Sequence, residues 1–525
     1  MSALTGIQRP TLVSDFLHAG ATCHPDREAV VCGSRRLTYA MLEAQTGCLR
    51  ETFLDLGVKR GDRVAIEAGS TETTVIAVLA TLTAGAIFVV VDPRKQSEAR
   101  RAIRDDSGPS ILVTCDPDAG GSTGTMVRVR RVVGGPASAD HGAHIDLSTC
   151  AIPIRQRPST SVRENDLCGL FYTSGSTGEP KGVAVTHLNV VSAARSILEY
   201  LDIRSSDTVL NLLPLSSDYG LYNVLMSLWR GARVVLGGPF LHPGELLRPL
   251  ATEGITGLPL TPTIVAILSR FRRLDFQGAE GIRWVTTTGQ ALPPRHSRWL
   301  RTVFPRARVF SMYGLTECKR VSYLAPEELE FRPTSVGKPI PNTSAWLVDE
   351  QGETIEIPGR VGELVVQGPH VMQGYWNRPE ATSRVIQNGD SPEERRLSTG
   401  DLFTTDAEGY LYFVGRRDTL IKSGGHVVSP RHVEEVVCEL AGVAEAAVVP
   451  VPHEILGQAL RLVAVPEDSV ELSSDDVREH CRRRLDRVAV PREILIRETL
   501  PRTLAGKTDY NQLALLSDAT TGTGE

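Results

Sequence analysis

Short apolar, β-branched runs alternate with longer stretches of helical periodicity over most of the chain. Residues 63–66, 209–213, 232–236 and 284–287 are such runs, and 167–172 is another. Runs of this length between helical segments predict buried parallel strands covered by helices. Residues 73–91 carry no charge and approach membrane-spanning length. Thr73, Thr74, Thr81 and Thr83 interrupt their apolar character. Ala84-Gly85-Ala86 reads as a helix end, and 87–91 as a buried strand entering an Asp92-Pro93 turn. The stretch therefore predicts a helix and a parallel strand, both buried.

From about residue 360 strands dominate, first at 362–367 and then at 409–415. A smaller α+β unit follows. Its helix, expected over 474–488, places Val477, Cys481, Leu485 and Val488 on one face, with Asp475 and Asp476 near its start. Residues 116–145 are rich in Gly, Ala and Asp and read as a surface loop. The tail, 518–525, is polar and reads as disordered.

At 525 residues the chain is too long for one ordinary core. Its 41% hydrophobic and 23% charged residues fit a globular protein. A net charge of −5 argues against nucleic-acid binding. The nine cysteines form no C-x-x-C pair, which disfavours zinc ribbons and redox dithiols. Their odd number, with no apolar leader in the first residues, predicts free thiols, a cytoplasmic location and no membrane partner.

The most specific chemistry lies at Thr173-Ser174-Gly175-Ser176-Thr177-Gly178-Glu179-Pro180-Lys181-Gly182, directly after a strand-like run. Glycines let backbone amides approach an anion closely. Four hydroxyls add donors and Lys181 adds charge. The stretch suits a polyphosphate, but its spacing is not that of a Walker A loop.

This loop resembles the phosphate loop of the adenylate-forming superfamily of acyl-CoA synthetases, nonribosomal peptide synthetase adenylation domains and luciferases. Further motifs resemble that superfamily in order and spacing from about residue 10 to 515. They are Tyr313-Gly314-Leu315-Thr316-Glu317, Ser398-Thr399-Gly400-Asp401, Gly415-Arg416-Arg417-Asp418, Ile421-Lys422-Ser423-Gly424-Gly425 and Leu500-Pro501-Arg502-Thr503-Leu504-Ala505-Gly506-Lys507. The resemblance implies an α/β fold. A large N-terminal domain, 1–417, of helix-covered parallel sheets with a β-rich subdomain would carry a small mobile α+β domain, 418–525. It implies ATP-dependent activation of a carboxylic acid, with Mg²⁺, followed by transfer to a thiol.

The resemblance also assigns roles. Lys507 reaches in from the small domain to bridge the acid and the α-phosphate, where two anions meet. Glu317, beside Thr316, binds Mg²⁺. Asp401 accepts from the ribose hydroxyls, Arg416 lies near the ribose and phosphates, and Tyr313 and Gly314 belong to the nucleotide site. Gly289-Gln290-Ala291 lines the adenine and Phe413 packs on it. Asp418 is the hinge, and Gly424 and Gly425 line the thiol tunnel.

The identity of the acid turns on Ser216-Ser217-Asp218-Tyr219, where fatty and aryl acyl-CoA synthetases often have Phe-His at 216–217. Amino-acid adenylation domains have an aspartate where Asp218 stands, pairing with the substrate ammonium. A loop aspartate or an internal salt bridge is the alternative. Tyr219, Tyr222, Thr288, Met312, Arg320 and Val321 form the other pocket walls. Arg320 suits either a second carboxylate of the substrate or a protein acid. The motif set resembles free-standing enzymes that load α- or β-amino acids onto acyl or peptidyl carrier proteins in natural-product biosynthesis. An acyl-CoA synthetase for a small non-amino acid, using CoA, is the alternative. A non-catalytic binding module is a remote third reading.

Overall fold

A computed structural model describes residues 10–114, 126–131, 142–147, 162–174, 180–238, 240, 242–271, 274–389, 391, 394–417, 419–467, 470–502 and 508–516. Among them the strands form four sheets. In the nine-stranded sheet, Glu28–Cys32, Arg233–Leu236, Thr208–Asn211, Gly257–Leu260, Trp284–Thr287 and Arg308–Tyr313 lie side by side in parallel. In the eight-stranded sheet, Ile111–Thr114, Arg63–Glu67, Ile87–Val90 and Leu167–Ser174 form the parallel centre. The expected strands are thus present, and 284–287 matches without shift. Large apolar side chains under both sheets, including Phe16, Phe53, Phe88 and Phe310, belong to one continuous core.

The uncharged stretch resolves as helix Glu72–Thr83, followed by strand Ile87–Val90, all four residues of which are buried. No described helix is long and apolar enough to cross a membrane. Burial between other elements explains its apolar character. Thr74, Thr81 and Thr83 satisfy their hydroxyls on nearby backbone carbonyls, Thr81 donating to that of Ala77 at 2.7 Å, whereas the buried Thr73 hydroxyl has no partner among the described residues.

Two expectations about secondary structure need correction. Within the stretch read as loop, Met126–Arg131 and Gly142–Asp146 are strands that extend the eight-stranded sheet by antiparallel pairing. The alternation at 126–131 was masked by its Gly- and Asp-rich flanks. The helix expected over 474–488 ends at Arg484; Leu485 is already extended, and Arg487–Ala489 forms a separate 3₁₀ turn. Val477 and Cys481 are buried as expected.

A third sheet, centred on Gly362–Gln367 and Arg396–Thr405, gives the β-rich unit. The fourth, built on Val443–His453 and Gly457–Pro466 with helices Pro430–Cys438 and Ser474–Arg484 near it, has its own apolar cluster. Large α/β layers followed by a smaller α+β unit match the expected fold class. Cys23, Cys32, Cys168, Cys318, Cys438 and Cys481 are free thiols. Cys48 is disulfide-bonded, against the expectation for that residue.

Candidate active site

Strand Arg308–Tyr313 ends at the face where the third sheet meets the nine-stranded one, and the Tyr313 hydroxyl donates to Asp401 Oδ2 at 2.5 Å. Asp401 is 3% exposed. Its backbone is pinned by an N–H bond to Thr399 Oγ1 at 3.1 Å, and Thr399 in turn donates to the Leu364 carbonyl. Arg416, opposite Asp401 in the antiparallel register, pairs with its Oδ1 at 3.1 Å. Burial and the adjacent carboxylate hold the Tyr313 phenol well above its ordinary pKa, so it remains a donor. A carboxylate has about four acceptor sites, a chemistry that suits hydroxyl donors such as those of a ribose.

The rings of Tyr313, Phe403 and Phe413 form one cluster, with Tyr313 and Phe403 edge to face at 4.8 Å and Phe403 and Phe413 at 5.3 Å. The Arg431 guanidinium lies 4.7 Å from the Phe413 ring centre. Gly289 has φ +90°, and Gln290 Oε1 accepts from Thr263 Oγ1 at 3.0 Å. That bond fixes the turn before Ala291, which is half-buried.

The phosphate loop connects two antiparallel strands, Leu167–Ser174 and Pro180–Thr186, with Thr173 opposite Lys181. Gly175, Ser176, Thr177 and Gly178 lie outside the described residues, as do Asp418 and Lys507, and so does the side chain of Ser174. Lys181 Nζ stands 5.6 Å from the Tyr375 ring centre, and Tyr375 donates its hydroxyl to Glu317 Oε1 at 2.8 Å. Lysine, tyrosine and glutamate thus converge beside Thr316. Among the described residues no group of three or more His, Cys, Asp or Glu is placed to hold a metal. A lone carboxylate with one oxygen fixed suits Mg²⁺, which takes its remaining ligands from phosphates and water.

The acyl end is built differently. Gly314 lies under the 318–320 turn, where a Cβ would stand 2.3 Å from the Lys319 carbonyl oxygen. Lys319 itself has φ +60°, a conformation non-glycine residues rarely adopt. This turn directs both Lys319 and Arg320 inward, at 5% and 2% exposure. Lys319 Nζ pairs with Asp218 Oδ2 at 3.2 Å and lies 4.5 Å from the Tyr222 ring centre. Burial lowers the Lys319 ammonium to about 8, against the opposing pull of Asp218. Arg320 Nη1 donates to Thr288 Oγ1 at 2.6 Å. Asp218 opens helix Asp218–Arg230, whose cap Ser217 accepts from the Gly220 N–H.

A cavity of about 10 Å³ lies here, lined by Tyr219, Asn223, Thr286, Met312, Lys319 and Arg320 among others. Of the expected walls, Tyr219, Met312 and Arg320 reach it. Tyr222, Thr288 and Val321 stand behind as supports; Val321 is 0% exposed and bonds its N–H to the Tyr313 carbonyl. Lys319, which lines the cavity and pairs with Asp218, is not among the residues expected from the sequence. A Lys-Arg pair flanked by buried Cys318 and Val321 is the signal that marks it. Gly424 and Gly425, at φ +57° and +82°, make the exposed turn between strands Ile421–Ser423 and His426–Val428. The Gly424 N–H bonds to the Leu456 carbonyl at 3.0 Å.

The chain matches the AMP-binding enzyme model over residues 17–376 and the AMP-binding enzyme C-terminal domain model over 432–507. It is 32% identical to feruloyl-CoA synthase of Amycolatopsis sp, over 93% of this chain and 95% of that one. It is 30% identical to L-proline–[L-prolyl-carrier protein] ligase of Streptomyces coelicolor, over 94% of each. The chain spans only 14% of the length of Surfactin synthase subunit 2 of Bacillus subtilis, at 28% identity. O-succinylbenzoate CoA synthetase of Bacillus subtilis, solved with its acyl-adenylate, superposes with a TM-score of 0.78 at 28% identity, covering 95% of this chain and 97% of that one. The same enzyme has been solved with ATP and magnesium ion. With these matches over the fold and site described, the chain belongs to the AMP-binding enzyme family and is an AMP-forming acid–thiol ligase.

Proposed function

We propose that this enzyme activates a carboxylic acid that carries no ammonium group at the Asp218 position, and passes it to the thiol of CoA. ATP and Mg²⁺ serve the first step. Tyr313, Asp401 and Arg416 would hold the nucleoside, Lys181 and the loop 173–178 the phosphates, and Glu317 the metal, which supplies charge stabilisation on the phosphate oxygens. Residues 1–417 and 418–525 are taken as the two domains. Lys507 acts from the second, Asp418 turns between them, and Gly424-Gly425 passes the pantetheine arm.

One observation carries the choice of acid. Asp218, the residue an ammonium would need, is already matched by Lys319 at 3.2 Å. A half-buried carboxylate already paired with a protein cation gains little from a second one. The names of feruloyl-CoA synthase and o-succinylbenzoate CoA synthetase, both acting on acids without amino groups, support the same reading.

The likeness to L-proline–[L-prolyl-carrier protein] ligase favours a second reading, an amino acid delivered to a carrier protein. Acid-dependent pyrophosphate exchange, run with amino acids and amine-free acids on wild type and Asp218→Asn, separates the two. The expected result is exchange with an amine-free acid, and an Asp218→Asn loss that is the same whether or not the acid has an amine. An amino acid as best substrate, with a loss of roughly 30-fold or more confined to it, establishes the second reading instead.

A further inference from the structure

We propose that the acyl pocket takes a compact acid bearing a second anionic oxygen group, and that Arg320 is the residue that receives it. The inference rests on the acid-activating reading above and deepens it. Arg320 is 2% exposed and lines the cavity. A guanidinium has five N–H donors. One of them goes to Thr288, and Nε, though buried, has no acceptor. The guanidinium is also hydrogen-bonded to the Tyr200 hydroxyl and lies 5.5 Å from the Tyr219 ring centre, but both partners are neutral. Among the described residues no carboxylate stands within ion-pair distance of Arg320. The nearby carboxylate, Asp218, is matched to Lys319.

Two buried cations on adjacent residues therefore face one carboxylate, and they repel each other. A buried charge without a counter-charge is costly unless something else compensates it. The turn that forces this arrangement is itself uncommon, with Lys319 at φ +60° packed on Gly314. Strain of this kind is kept where a function needs it. A ligand carboxylate would accept two parallel N–H bonds from the guanidinium fork, a geometry that a hydroxyl or amide does not match. Asn223, Thr286 and the Tyr219 hydroxyl, which shares a 2.7 Å bond with Thr286 Oγ1, add polar wall. The cavity, at about 10 Å³, has room for one water at most. A carboxylate there displaces that water and needs the lining side chains to give way, and a long alkyl chain needs far more repacking.

The test is acid-dependent pyrophosphate exchange with malonate, succinate and glutarate against propionate, butyrate and valerate, the acids of equal carbon number lacking the second carboxylate. With wild type, the best dicarboxylate should exceed its monocarboxylate match by about 100-fold or more in kcat/KM, because an absent partner leaves a buried donor unpaired. Arg320→Gln should compress that ratio to within about tenfold, mainly through KM for the dicarboxylate. The wild-type ratio decides the matter even if the variant does not fold. A monocarboxylate as best substrate, or an Arg320→Gln loss equal for both sets, overturns the inference and leaves the acid-activating reading standing. No exchange with any acid, amino acids included, overturns both.

Discussion

The two ends of the site solve opposite electrostatic problems with the same few residue types. At the nucleotide end the carboxylate is buried and its cation is exposed: Asp401 against Arg416, whose side chain is 52% exposed. At the acyl end the cation is the deeper partner: the Lys319 side chain is 4% exposed and that of Asp218 19%. The first arrangement presents fixed acceptors, which suit hydroxyls and a hard metal ion. The second presents fixed donors, which suit an anion. The difference shows that ion pairs in one site need not have one purpose. What each end can bind follows from which charge is left facing inward.

The largest effect is expected where both ends are served at once. Lys507→Ala should lower adenylate formation by about 10³-fold while sparing thioester formation from preformed acyl-adenylate, since its charge is needed only where the two anions meet. Pyrophosphate exchange and single-turnover thioester assays read the two halves, and equal loss in both removes the division of labour.

Asp401→Asn should act on one end alone. Losing a charge-assisted acceptor costs about 1.5–3 kcal/mol, or roughly 10- to 150-fold in kcat/KM for ATP, with KM for the acid unchanged. A comparable rise in KM for the acid dissolves the separation between the ends.

Lys319→Met should strand Asp218 and destabilise the fold by about 1–3 kcal/mol, the partial exposure of the aspartate moderating the cost. Urea unfolding of the single variants and of Lys319→Met with Asp218→Leu makes the cycle. The double variant should recover most of the loss, whereas simple additivity means the pair is not coupled.

The smallest effect lies away from both ends. Glu434, in helix Pro430–Cys438, accepts from the Val448 N–H and the Tyr510 hydroxyl, and burial raises its carboxyl from 4.5 to about 7. The folded state therefore keeps a proton that the unfolded chain loses, and stability contributed by the protonated group falls as pH rises from about 4.5 through about 7. Glu434→Gln keeps the acceptor and cannot ionise. Its advantage over wild type should grow across that window by about 1–2 kcal/mol in urea unfolding, with kcat/KM for ATP and acid unaltered. A pH-independent difference excludes the titration.

Legibility followed the range of the interaction. Tyr313, Gly314, Thr316 and Glu317 stand in one short string, and the buried strands announce themselves through β-branched runs, so the nucleotide end could be read along the chain. The pair Asp218–Lys319 joins residues 101 apart, and no local pattern encodes it. The inward set of Lys319 depends on a left-handed backbone that its own type does not advertise. The same limit applied at 126–131, where pairing with Ile111–Thr114 completes a strand that its flanks disguise. At 485, apolar spacing continued past the point where the backbone left the helix.

The left-handed turn over Gly314 has a consequence for redesign. Because the backbone there is locked by packing, the side chains at 319 and 320 behave as interchangeable bits in a rigid holder. Asn or Gly at 319 adopts the same backbone at little cost, whereas a β-branched residue resists it. Altered acid preference is therefore best sought by exchanging the two heads on an unchanged Gly314, with Asp218 exchanged alongside whenever the charge at 319 is removed.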